Sequence, residues 1–287
     1  MIKVENLSFA YPKTSAPVLR DLSFSIGNGE IYGLLGPSGS GKSTTQKILM
    51  GLLQGFSGEA KIFGQSIRNI DRSFYEKIGV SFELPTLYLR LTALENLKLF
   101  AALYQGATKD PMEVLGLVDL TEAANQRVGN FSKGMKMRLN LCRAFLNDPE
   151  LLFLDEPTTG QDPARARHTR QLILKLKEEG KTIFLTTHNM AEADEICDRV
   201  GFLTNGYIPV SGVPDDLKRQ YGQPMLEVTT VSANSAKKHL FPMENIGKNA
   251  KFLKLLDSSK IRAMHTMEAS LDDVFIKVTE AEAKKGD

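Results

Sequence analysis

Residues Gly36, Pro37, Ser38, Gly39, Ser40, Gly41, Lys42 and Ser43 have the types and spacing to hold a phosphate chain. They fit G-x-x-x-x-G-K-[ST], a loop whose backbone N–H groups turn inward around an anion. Glycine is required there because no Cβ then blocks the turn. In such a loop Lys42 reaches the β- and γ-phosphates, and Ser43 offers its hydroxyl to Mg²⁺. A second chemical signal lies far along the chain, where Leu151, Leu152, Phe153 and Leu154 run into Asp155 and Glu156. Alone, a strand ending in two acids is a weak signal. After a phosphate loop, Asp155 is placed to hold Mg²⁺, directly or through water. Glu156 is placed to polarise a water that attacks the terminal phosphate.

The elements around these residues suit that work. Residues 30–35 read as a buried strand entering the loop. Residues 44–53, starting at Thr44, read as a helix leaving it, whose N-terminal dipole favours phosphate. Residues 1–30 alternate like strands, with a turn around residues 11–14. Thr92 to Glu95 forms a capping box for a helix striped by Leu99 and Leu103. Residues 84–147 read as mostly helical. The run 151–154 is apolar throughout, as a fully buried parallel strand should be. Asp162 and Pro163 open a helix that Gly180 stops, and residues 183–185 form another short buried strand. Asn189 followed by Glu192 opens the next helix. Strands alternating with helices imply an α/β fold built on a mainly parallel sheet. Residues 206–214 are turn-rich and mark a boundary. Beyond it, residues 225–231 read as a strand. Ser270 caps a helix whose Leu271, Val274, Phe275 and Val278 form a core stripe.

Bulk properties narrow the class. The chain has 287 residues, enough for one large domain and a small one. Its formal charge of +2 gives no broad nucleic-acid footprint. Cys142 and Cys197 are its two cysteines, far apart, which fits core filler in a reducing compartment and not a disulfide or zinc frame. No apolar run approaches the roughly 20 residues that span a bilayer, and the first residues lack a secretory h-region. Membrane work therefore calls for a partner.

The ordered motifs across residues 2–212 resemble those of the ATP-binding subunit of ATP-binding cassette (ABC) transporters. Tyr11, in Phe9-Ala10-Tyr11-Pro12, stands where that family stacks an aromatic on adenine. Phe131-Ser132-Lys133-Gly134-Met135 stands in place of its signature L-S-G-G-Q. Gly160 and Asp162, in Thr159-Gly160-Gln161-Asp162, resemble the D-loop at the subunit contact. His188, after Thr186 and Thr187, resembles the switch histidine that senses the γ-phosphate. The resemblance implies a P-loop NTPase core over residues 1–212. This core has a mainly parallel sheet, an N-terminal antiparallel β region and a helical subdomain at about 84–147. Residues 213–287 are then a small α+β accessory domain. It further implies ATP and Mg²⁺ as ligands, a second ATPase subunit forming a homodimer, and a polytopic membrane permease. The place is the cytoplasmic face of the membrane, and no nucleic-acid partner is expected. Ser132 has its own physical logic as the N-cap of a helix, since free N–H groups there form an anion site. In the family that site faces the partner's nucleotide, so Ser132 and Gly134 join the nucleotide-binding set. The short signature and the residues 270–275 resemble the exporter branch with separate membrane chains.

Three departures from the family pattern stand out. Glu83 replaces the glutamine expected as a Mg²⁺ contact. Lys133 and Met135 alter the signature, and Gln161 replaces the usual D-loop leucine. None touches Lys42, Asp155, Glu156 or His188. Three rival readings compete. An ABC ATPase working on ribosomes or DNA calls for a second cassette or a long coiled coil. A P-loop kinase needs an acceptor pocket and has no use for Ser132, Gly134 and His188. A non-hydrolysing regulatory partner has no use for Glu156.

Overall fold

The computed structural model describes residues 1–12, 16–232 and 235–283. The described chain divides into two compact units, Met1–Ser211 and Gly212–Asp287.

The first unit begins with β1 (Ile2–Phe9) and β2 (Leu19–Ile26), then β3 (Ile31–Leu35) and α1 (Lys42–Leu49). Next come β4 (Ser57–Ile62), β5 (Gln65–Ser66), α2 (Arg72–Glu76) and β6 (Ile78–Ser81). Three helices follow: α3 (Ala93–Ala101), α4 (Pro111–Gly116) and α5 (Lys133–Phe145). The unit continues through β7 (Leu151–Asp155), α6 (Pro163–Glu178), β8 (Thr182–Thr187), α7 (Met190–Ile196), β9 (Arg199–Thr204) and β10 (Tyr207–Gly212), whose last residue meets the boundary. Two sheets result. One is antiparallel, in the order β2-β1-β4-β5, and the other runs β10-β9-β3-β8-β7-β6. In the second sheet β3 pairs parallel with both β8 and β9, and β7 pairs parallel with β6 and β8. Every residue of β3, β7 and β8 is buried, as continuous apolar strands covered on both faces require. The sheets share a core in which Phe24, Tyr32 and Phe184 stack. Both cysteines are buried, and burial pushes their thiols up, which makes them inert filler.

Several local expectations need correction. Helix α1 stops at Leu49 rather than at residue 53. Gly51 turns the chain there at φ +73°, and a Cβ would lie 2.2 Å from Ile70 Cδ1. The turn around residues 11–14 is only partly visible, since residues 13–14 lie outside the described ones. Residues 84–147 are less helical than expected, with loops and short 3₁₀ turns between α3, α4 and α5. The capping box at Thr92 is present, but the α3 stripe is wrong: Ala93, Asn96 and Leu97 are buried. Leu99 and Leu103 are 39% and 62% exposed. Asn96 goes inside because its amide answers the Tyr88 and Thr92 carbonyls and the Tyr88 N–H. Such a polar core residue is invisible to apolar periodicity.

The second unit contains α8 (Pro214–Tyr221), β11 (Met225–Ser232), β12 (Ser235–Pro242), α9 (Ala250–Ser258), β13 (Ile261–Met267) and α10 (Leu271–Ala283). Its antiparallel sheet runs β12-β11-β13 over a small core of Val228, Phe241 and Phe252. On α10, Leu271, Val274 and Val278 are buried, so that stripe is packing.

Candidate functional site

Register creates the site. Parallel pairing sets Leu35 beside Thr187, and Asp155 beside Thr186. The ends of β3, β7 and β8 therefore open on one edge, where open α/β sheets hold ligands. From β3 the chain passes into the phosphate loop. At Gly36 a Cβ would lie 2.2 Å from the Leu203 carbonyl oxygen, so only glycine fits. Gly41 adopts φ +112° and caps α1. Ser38 and Gly39 are exposed at the loop crest, while Ser40 is buried. Among the described residues, Ser40 Oγ has no hydrogen-bond partner. Such an orphan in a cradle is what a bound oxyanion would relieve.

Lys42 is 7% exposed. Its ammonium donates to the Gly36 carbonyl at 2.8 Å and the Pro37 carbonyl at 3.1 Å. Burial lowers its pKa, against the raising charges of Glu156, Asp155 and Glu83. A desolvated cation amid carbonyls is well matched to a polyphosphate. Asp155 accepts Ser43 Oγ at 3.2 Å and the Thr186 hydroxyl. Burial raises its carboxyl, and the Thr186 and Ser43 hydroxyls work against that. Tyr11 reaches the same corner, its hydroxyl 3.2 Å from Thr44 Oγ1 and its ring edge-on to Phe9.

Glu156 stands at φ +49°, in the left-handed region that a side chain rarely takes. Holding it there costs on the order of 1–3 kcal/mol, a strain typical of working residues. Four donors converge on its carboxylate. Oε1 accepts the His188 backbone N–H at 3.0 Å and His188 Nδ1 at 2.7 Å. Oε2 accepts the Thr187 hydroxyl at 3.2 Å and the Thr159 hydroxyl at 3.3 Å. The carboxylate partner places the imidazole proton on Nδ1. Sequence reading missed Thr159 and Thr187 as partners of Glu156. Hydroxyls directly beside the D-loop glycine and the histidine were the available signal.

A second cluster lies apart from the first. Ser132 caps α5 and accepts the Met135 N–H at 3.2 Å. Gly134 lies against Gly160, with a built Cβ 3.5 Å from the Gly160 carbonyl oxygen. Ser132, Gly134, Gly160 and Asp162 line one cleft of about 380 Å³ with Arg138 and Arg165. None of residues 36–43 lines it. Asp162 is tied up as the cap of α6, accepting the Ala164 and Arg165 N–H groups. Gln161 turns inward: its amide donates to the Pro157 carbonyl and accepts the Thr169 hydroxyl, both at 2.8 Å. Lys133 lays its side chain over Gly160, where a Cβ would come within 2.9 Å of Lys133 Cε. Glu83 is exposed and faces Lys133 and Lys136 across a pocket of about 290 Å³.

Known proteins are similar to this chain. The ABC transporter family matches residues 19–159. A fluoroquinolones export ATP-binding protein of Mycobacterium tuberculosis is 48% identical over 280 residues, covering 97% of this chain and 93% of its own. The linearmycin resistance ATP-binding protein LnrL of Bacillus subtilis is 38% identical, over 82% of this chain and 77% of its own. A dimeric ATP-binding cassette in a post-hydrolysis state, bound to ADP and Pi, superposes with a TM-score of 0.68. It is 30% identical and covers 74% of this chain and 98% of its own. The chain belongs to the ABC transporter ATP-binding family. It is an ATP-binding, ATP-hydrolysing subunit of an export system. The ribosome or nucleic-acid reading gains no support from these relatives.

Proposed function

We propose that two copies of this chain pair head to tail and power an exporter of drugs or antibiotics through a polytopic permease. The observation that carries the pairing is the separation of the two clusters within one protomer. The phosphate loop and the Ser132 cleft are each half of a nucleotide site, and a second copy supplies the missing half. The cargo class comes from the relatives, whose names speak of fluoroquinolones and linearmycin. No helix among the described residues is long and apolar enough to cross a membrane. That agrees with a peripheral position on the cytoplasmic face.

In this reading residues 36–43 and Thr44 hold the triphosphate, with Tyr11 beside the base. Lys42 neutralises charge on the transferring phosphoryl group. Glu156 orients the attacking water and takes its proton. His188, anchored on Glu156 through Nδ1, keeps its exposed ring edge for the γ-phosphate. Ser132 and Gly134 close the partner's site, and Gly160 and Asp162 line the contact. The residues also fit Mg²⁺. Ser43 and Asp155 supply hard oxygens in hydrogen-bond contact, and no cluster of three His, Cys, Asp or Glu side chains able to hold a metal exists among the described residues. Mg²⁺ sites of this kind are completed by substrate phosphate and water. When bound, the ion would spread the charge of the phosphates. Glu83 joins this set from the loop after β6, and its charge already reaches Lys42. Glu83→Gln is expected to shift the Mg²⁺ dependence of ATP hydrolysis, and superimposable Mg²⁺ titrations would refute that role.

A groove of about 430 Å³ opens between Tyr75, Phe82, Phe100, Leu103, Tyr104 and Arg143. Leu84 and Tyr88 stand exposed nearby at 78% and 54%, whereas Leu87 and Leu91 are half-buried. A short helix of the permease fits such a groove. Arg143 and Asn140 tie the groove to the signature helix: Arg143 donates to the Thr86 carbonyl and Asn140 to the Phe82 carbonyl. Tyr88→Glu with Leu103→Glu is expected to leave the ATPase of the isolated subunit within about twofold and abolish permease capture. Unchanged capture would move the docking site elsewhere. The whole proposal is tested by detergent pull-down of tagged Glu156→Gln with ATP from native membranes. A polytopic membrane protein should co-purify. Recovery of ribosomal or nucleic-acid proteins alone would refute transport.

A further inference from the structure

Glu192 is a carboxyl inside the site with no assigned role. It lies in the first turn of α7, four residues after His188, and is 2% exposed. Thr187 Oγ1 lies 3.1 Å from Glu192 Oε2 and 3.2 Å from Glu156 Oε2. The same oxygen accepts the Asn189 N–H at 3.0 Å. A hydroxyl has one proton and two lone pairs. Asn189 occupies one lone pair, and the proton serves one carboxyl oxygen. The other carboxyl oxygen then meets a lone pair, so that carboxyl must bring a proton of its own.

Glu156 does not need one, because His188 and Thr159 already donate to it. Glu192 is the group that does. Its Oε1 is buried with no hydrogen-bond partner among the described residues. Its surroundings agree. Burial raises its pKa most, the Thr158 and Thr187 hydroxyls oppose that, the Glu156 charge adds to it, and Arg170 on α6 opposes it. The buried Cys197 thiol after α7 also feels the Glu192 charge, together with those of Asp198 and Asp194, and Arg170 itself pairs with Glu195 at 2.6 Å.

We propose that Glu192 is a neutral, proton-donating positioning residue: its O–H holds Thr187 Oγ1, and the Thr187 O–H holds Glu156 in the orientation that aims water at the γ-phosphate. This rests on Glu156 being the general base. The chain Glu192 to Thr187 to Glu156 has one direction, and satisfied buried networks of this kind fix geometry. Ionising Glu192 would reverse its end of the chain and set two negative carboxylates on one hydroxyl. A raised carboxyl is neutral below its folded pKa, so the support is present at low pH and is lost as pH rises through that value.

Steady-state ATPase over a range of mildly acidic to alkaline pH tests this with Glu192→Gln, Glu192→Met and Thr187→Val. Glutamine keeps a neutral donor at every pH. It should keep kcat within about twofold and remove the alkaline fall that this ionisation causes. Methionine has no donor and should lower kcat about tenfold with the KM for ATP unchanged. Thr187→Val should behave like Glu192→Met, and combining the two should cost no more than either alone. If Glu192→Gln is as slow as Glu192→Met, an ionised carboxylate is required and the proposal fails. If Glu192→Met runs at the parental rate, Glu192 merely packs and the proposal fails as well. Should Glu192→Met not fold, the alkaline limb of Glu192→Gln decides, and a limb identical to the parental one overturns the proposal. Failure of the general-base reading shows separately, as parental turnover by Glu156→Gln.

Discussion

Replacing Glu156 by glutamine is expected to cut ATP turnover about a thousandfold while ATP still binds, since general-base assistance contributes on the order of 10²–10⁴. The amide keeps the size, and its single oxygen can still accept the His188 N–H while its NH2 turns to the Thr187 and Thr159 hydroxyl oxygens. It cannot take a proton from water. Lys42, Ser43 and Asp155 are untouched, so the nucleotide is retained and the closed pair should persist on ATP. Single-turnover hydrolysis together with size-exclusion chromatography in ATP checks both halves. Rapid hydrolysis by this variant would remove Glu156 from its role. Slow hydrolysis without a longer-lived dimer would leave the base in place and refute the sandwich.

How much of this site was legible in the sequence differs by the kind of constraint involved. Gly36 and Gly41 could be read because backbone geometry admits only glycine there, and the demand falls on fixed positions. The strand 151–154 could be read because burial on both faces forces an unbroken apolar run. Caps at Thr92, Asp162, Asn189 and Ser132 could be read because their partners lie two or three residues away. The Thr159, Thr187 and Glu192 network could not be read. It exists only after β7 and β8 pair in one register, and serine-like hydroxyls and surface-looking acids carry no periodic signal. Gln161 is a similar case. As a departure at a subunit contact it looked outward, and only the fold shows its amide spent on Pro157 and Thr169. The stripe on α3 failed for the opposite reason: Leu103 obeys the apolar spacing, yet it lies two residues past the end of α3 and lines an open groove instead of the core.

Gly134→Asp is expected to abolish ATPase in a dimer of identical copies and yet regain it on mixing with a second inactive variant, Lys42→Ala. The Cβ of residue 134 has room inside the protomer, at ordinary contact distance from the Gly160 carbonyl. The fold should therefore survive, and the harm falls on whatever approaches the cleft from outside. An added carboxylate beside a γ-phosphate in a water-poor interface is repulsive, and losing such charge stabilisation costs about 10²–10³ in rate. Lys42→Ala fails by the other route, by removing the buried cation of the phosphate loop. In a head-to-tail pair of one copy each, both defects fall on the same nucleotide. The opposite nucleotide has an intact loop and an intact signature. Random pairing makes half of the dimers mixed, with one good site of two, so activity should return to about a quarter of the parental rate. A cis arrangement, with loop and signature of one protomer on one nucleotide, leaves every mixture inactive. Measuring ATPase against mixing ratio separates these outcomes, because only the trans arrangement gives a curve that peaks at equal amounts.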